Sequence, residues 1–81
     1  MNDLEWKKIS KSILKSELSK KSIDYNQLSV KLALIGISES STNINSKINR
    51  GTFSFTFFLQ CMQAIKTNTI SIGTNEDINE K

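Results

Sequence analysis

The segment from Tyr25 to Gly51, YNQLSVKLALIGISESSTNINSKINRG, gathers the side chains of this chain best suited to reading or holding a polyanion. Its second half carries Ser40, Ser41, Thr42, Asn45, Ser46, Lys47 and Asn49, with Ile44 and Ile48 as a thin apolar stripe. Asn can bond bidentately to adenine, Lys or Arg to guanine, and Ser or Thr to bases or phosphates. A helix anchored by two isoleucines and polar elsewhere is the kind of element that enters a DNA major groove. The first half is apolar at Leu28, Leu32 and Ile35 and stops at Gly36, so it reads as the supporting helix. Two short helices joined by a glycine-containing turn form a known DNA-binding unit. Asn26 and Gln27, near the start of the supporting helix, suit a phosphate beside free backbone N–H groups. The competing account is an ordinary solvated face in a chain rich in Lys, Asn, Ile and Ser.

Catalytic chemistry has little to work with. The chain has no histidine, which removes the imidazole base of a Ser or Cys nucleophile and the commonest zinc ligand. Cys61, the single cysteine, falls in an apolar stretch and reads as a packed thiol. Glu76 and Asp77 form the nearest approach to a carboxylate pair, with nothing to hold them at a set separation. The glycines, at 36, 51 and 73, are too sparse for a phosphate loop. The expectation is a protein that is not an enzyme, with no metal, no cofactor and no small-molecule substrate.

Eighty-one residues make one domain with a marginal core. Residues 1–66 hold ten Lys and Arg against five Asp and Glu, while residues 67–81 hold three acids against one Lys. A basic body weakly favours a polyanionic partner. No apolar run reaches the roughly 20 residues of a membrane span, and MNDLEWKK has no apolar signal core, so a cytoplasmic location is expected.

Four helices should position these groups. The first is expected over about 3–20, capped by Asn2 with Glu5 as its capping-box partner. Trp6, Ile9 and Ile13 share one face, with Leu14 and Leu18 beside them, and Lys8, Lys11 and Lys15 recur on another. Glu17 falls on the apolar side, where a carboxylate is costly unless paired. Arg50, the single arginine, is its expected structural partner. The second helix should start after Asp24, with Gln27 completing a capping box and Ile23 stapled to Leu28. The third is expected at about 39–50, with Glu39 in its first turn and Gly51 ending it; the fourth follows Ser54, with Phe53 stapled to Phe58. That fourth helix is apolar over more than half its circumference, which predicts a central element or a homodimer surface. Thr69 to Ile72 reads as a short strand or extended arm, and the polar tail from Gly73 as disordered.

Leu28-Ser29-x-x-Leu32 and Ile48-Asn49-Arg50-Gly51 resemble the lambda-repressor-like (XRE-type) helix-turn-helix domains. The pattern departs at one place, since Ala33, Leu34 and Ile35 stand between Leu32 and Gly36, lengthening the helix or its turn by about three residues. Tyr25, Lys47, Arg50, Gly51 and Phe53 are also similar to a family of small uncharacterised bacterial domains with a Lys-x-x-Arg-Gly-x-Phe signature. The resemblance spans roughly residues 5 to 66. The expectation is an all-α, four-helix helix-turn-helix domain over 1–68, with a C-terminal arm or tail over 69–81. It would bind double-stranded DNA in a sequence-specific way as a homodimeric transcriptional regulator. A helical protein–protein module or antitoxin-like partner is the rival, and a shape-dependent RNA binder ranks third.

Overall fold

The computed structural model describes residues 2–72, so the expectation for the tail from Gly73 lies outside the described residues. Four α-helices form the fold: α1 (Asp3–Lys20), α2 (Tyr25–Leu34), α3 (Ser41–Arg50) and α4 (Phe55–Ala64). No strand occurs among the described residues. Thr69–Ile72 is therefore irregular, although Ile70 packs against the core.

Helix starts follow local chemistry. Asn2 Oδ1 accepts from the Glu5 N–H while Glu5 Oε1 accepts from the Asn2 N–H, each at 2.9 Å. Asp24 and Gln27 close the same box on α2. Ser54 caps α4 through the Phe57 N–H, and the Phe53 ring stacks on Phe58 with centroids 6.5 Å apart. Helix α3 starts later than the expected 39: Ser40 is its cap, accepting from the Asn43 N–H, and Glu39 stays in the turn. A hydroxyl in extended backbone satisfies the first-turn donors there, whereas Ser38 has no such role in the structure.

Three of the four helices, α1, α2 and α4, end in the same way. After α2, the Ile37 N–H reaches the Leu32 carbonyl and the Gly36 N–H reaches Ala33, with Gly36 left-handed at φ +86. The same six-to-one and five-to-two bonds close α1 at Ser22 and α4 at Lys66, both non-glycine residues with positive φ. Lys21 also donates Nζ–H bonds to the carbonyls of Ile65 (2.6 Å) and Lys66 (3.2 Å). Its charge thereby meets the negative end of α4 and ties the close of α1 to the close of the domain.

The core comprises Leu14, Leu18, Leu28, Leu32, Ile44, Ile48, Phe57, Cys61, Met62, Ala64 and Ile65. Helix α2 packs against both α3 and α4, and α1 packs against α3. The core face of α1 is Leu14, Glu17 and Leu18, not the Trp6–Ile9–Ile13 stripe. Ile9 and Ile13 are only half-buried, and Trp6 is 51% exposed. Ile35 is also largely exposed, and Ile37, beyond the glycine turn, packs on the core in its stead. Glu17 is buried as its position requires, but its carboxylate meets Lys20 Nζ at 3.1 Å. No ion pair joins it to Arg50 among the described residues, so the expected α1–α3 tie is replaced by a pair within one helix.

The α1–α3 contact instead depends on Gly51. Its φ is +71, and a Cβ built there would sit 2.3 Å from the Lys7 carbonyl oxygen and 2.9 Å from the Lys7 carbonyl carbon. Gly36 has the same handedness but open space around it. Substituting alanine at the two sites separates backbone strain from collision. Gly36→Ala should cost about 1 kcal/mol, the left-handed penalty alone. Gly51→Ala should cost about 2–4 kcal/mol, since overpacking is added. Urea denaturation of both variants checks this, and equal losses would show that the close approach to α1 is unimportant.

Candidate nucleic-acid interface

Helix α3 presents its polar residues as the spacing predicts. Ile44 and Ile48 are fully buried, Ser41 and Lys47 flank them half-buried, and Thr42, Asn43, Asn45, Ser46, Asn49 and Arg50 are exposed. The outward ridge has its own order, because the Asn49 amide donates to Asn45 Oδ1. Thr42 and Ser46, four apart, stand opposite the isoleucines with no partner among the described residues.

The starts of α2 and α3 meet. Asp24, Tyr25 and Asn26 from one and Ser41, Thr42 and Asn45 from the other line a single open concavity. Four of the expected contact residues are thus brought together: Asn26, Ser41, Thr42 and Asn45. The caps take the third N–H of each helix, at Gln27 and Asn43, which leaves the N–H groups of Tyr25, Asn26, Ser41 and Thr42 without hydrogen-bond partners among the described residues. Unsatisfied N–H groups at a helix start, aligned with the macrodipole, attract anions. Asp24 offsets part of this at α2 with its own charge. Helix α3 is capped by the neutral Ser40, so no charge on the cap offsets its dipole.

The remaining expected residues are partly spoken for. Gln27 Oε1 accepts from the Asp24 N–H at 2.9 Å, leaving only its NH2 to reach outward. The Ser40 oxygen is used in the cap. Lys47 is drawn inward: Nζ pairs with the Glu39 carboxylate and lies 4.9 Å from the centroid of the Phe57 ring. Its role is structural, because α3 uses it to fasten the preceding turn and α4. Ser29 Oγ donates to the Glu39 carbonyl, so the long turn of residues 35–40 is braced from α2 and α3 alike. Tyr25 and Asp24 were missed as lining residues, although the cap at Asp24 already placed Tyr25 in the first turn.

Below this braced turn lies Cys61, fully buried. Burial, and then the charge of Glu39, push its thiol up from 9.0 to about 12, with Lys47 opposing. The thiol is therefore protonated at neutral pH and is not an activated nucleophile. Among the described residues, no group of His, Cys, Asp and Glu is arranged to hold a metal.

The shift at Cys61 has a consequence for stability. The folded state holds the thiol proton more tightly than the unfolded chain, so the stabilising term is intact below pH 9 and fades as pH rises towards 12. Tyr25, also raised by burial, acts in the same sense above pH 10. Chemical denaturation between pH 8 and 11 should show falling stability, and Cys61→Ala should make that fall shallower. A parallel decline in the variant would mean that the thiol contributes nothing.

No curated protein and no solved structure matches the chain. A family model does, over residues 6–70, a span that takes in every buried side chain from Leu14 to Ile65 and ends on Ile70, the last residue to pack against the core. The chain belongs to that family, described as a domain of unknown function (DUF6471).

Proposed function

We propose that this domain is a sequence-specific, cytoplasmic DNA-binding regulator of the helix-turn-helix kind, with α3 as the helix that enters the major groove. The concavity joining the starts of α2 and α3 is the observation that carries the reading. It sets unpaired N–H groups beside Asn26, Ser41 and Thr42, a pattern suited to a phosphate, while Asn45, Ser46, Asn49 and Arg50 continue outward along the same helix. Phosphate contacts fix register, and side chains further along the helix read base edges. The six-residue turn is longer than the three or four residues of the usual motif. Its brace through Ser29, Glu39 and Lys47 supports a fixed seat for α3 despite that length.

A second copy of the chain is the proposed protein partner. Phe55 is 71% exposed and Leu59 51% exposed on α4. Phe55 also lines an apolar groove with Ile13, Phe53, Phe58, Ile70 and Ile72. The same surface supports the rival reading of a protein–protein module, and salt separates the two. Phosphate binding weakens steeply with salt, whereas an apolar interface does not.

Gel-shift titration of the full chain against genomic fragments at 50 and 200 mM salt tests the proposal. Binding should weaken sharply between those conditions. Ser46→Ala and Asn49→Ala should keep the fold and lose specific over random affinity by about 1–3 kcal/mol for each lost base contact. No shift at the lower salt, or variants indistinguishable from the parent, would remove α3 from the role.

A further inference from the structure

The cations of this chain divide sharply by use. Lys20 serves Glu17, Lys21 the end of α4, and Lys47 the turn before α3. Lys8, Lys11 and Lys15 serve nothing: no ion pair or hydrogen bond engages them among the described residues. They share one side of α1, next to the buried arc of Leu14 and Leu18 and with Lys11 half-buried, and Ser12, Ser16 and Ser19 lie beside them. The acids of α1 avoid that face. Glu5 is folded back on the cap and Glu17 is buried, while Asp3 sits in the first turn. A helix face that only needs solvation gains from alternating signs, and like charges four apart destabilise it. Three lysines separated by the smallest hydroxyl side chains make a shallow, uniformly positive channel instead.

That channel is not isolated. Lys8, Lys11, Ser12, Lys15, Ser16 and Ser19 line one concavity, and Lys15 and Ser19 belong also to a second that continues to Asp24 and Tyr25. Those two residues are in turn shared with the concavity at the starts of α2 and α3. One continuous track thus runs from the lysine face of α1 to the base of the proposed reading helix.

We propose that this lysine–serine channel is a second phosphate track, which carries the DNA backbone flanking the segment met by α3. The inference rests on the DNA-binding reading. Lys8 to Lys15 spans about 10 Å along the helix, roughly three phosphates' advance on one strand. The lysines read no bases, so they raise affinity on every sequence alike.

The test is the salt dependence of binding to a 30-base-pair random-sequence duplex. The parent chain is compared with K8Q/K11Q/K15Q and with Lys31→Gln plus Lys66→Gln as a charge-reduced control. The triple variant should lose about 0.9 from the slope of log K against log salt for each lysine. It should keep its thermal melt and the ratio of specific to random affinity. The control should lose far less per lysine. A triple variant whose slope matches that of the parent, or falls no more per lysine than the control, overturns the channel while leaving α3 untouched. Absence of any DNA binding by the parent overturns both readings. Lysine-dependent binding to phosphatidylserine vesicles, with an unchanged DNA slope, would assign the channel to a lipid surface and also overturn it.

Discussion

The orientation of α3 depends on a contact from which a side chain is missing. Gly51 lets the end of α3 rest on the α1 backbone at Lys7, at a spacing that no Cβ could occupy. Ile44 and Ile48 enter the core from the other side, so the helix is held along its buried stripe and at its last turn. A rod fixed in this way cannot roll about its axis without exposing an isoleucine or driving Gly51 into α1. Its polar arc is therefore outward by exclusion. The residues on that arc need contribute nothing to stability, which leaves them free for recognition.

Net charge describes this surface badly. The formal +3 treats all cations alike, yet their contacts differ in kind. Lys21 substitutes for a missing donor at the end of α4, and Lys47 offsets a largely buried carboxylate while packing on Phe57. Both are held by short-range geometry that salt screens weakly. Lys8 and Lys15 on α1 and the guanidinium of Arg50 face water, where any attraction to a polyanion is salt-sensitive. A basic protein of this size thus presents fewer available charges than its composition implies, and Lys8, Lys11 and Lys15 are the ones gathered on one side of a helix.

Much of the fold was legible because its signals are local. Capping boxes at Asn2 and Asp24, the Ser54 cap, the phenylalanine staple and both glycine stops involve residues within a few positions, so spacing alone identifies them. The stripe of Ile44 and Ile48 was legible for the same reason. What failed was nonlocal. Trp6 has the right period but is half-exposed, and period cannot tell which side of a helix its neighbours cover. Pairing Glu17 with Arg50 followed from composition, whereas Lys20 lay three residues away at helical spacing. Lys47 looked like a groove contact until the turn folded Glu39 over it. The polar identity of such residues is visible in sequence, but the partner that claims them is set by tertiary packing.

Helix α4 shows the limit of a small core. Four helices, three of them only ten residues long, cannot surround an element that is apolar on most sides. Phe57, Cys61, Met62 and Ala64 take the inward face, and Phe53 and Phe58 stack over the flank, which leaves Phe55 and Leu59 in water. Neither residue is needed for the helix start, which Ser54 already caps. Alanine at both positions would retain the core while removing large apolar area from solvent exposure. Phe55 still stacks on Phe58, with centroids 6.2 Å apart, and the area these two side chains leave in water is the surface proposed above for a second copy. The aromatic flank lies on α4 and the polar arc on α3, two helices that share the core and are joined through Lys47 over the Phe57 ring. The dimer surface proposed above and the helix proposed to meet DNA are thus separate elements, as the pairing of two half-sites by a dimer would require.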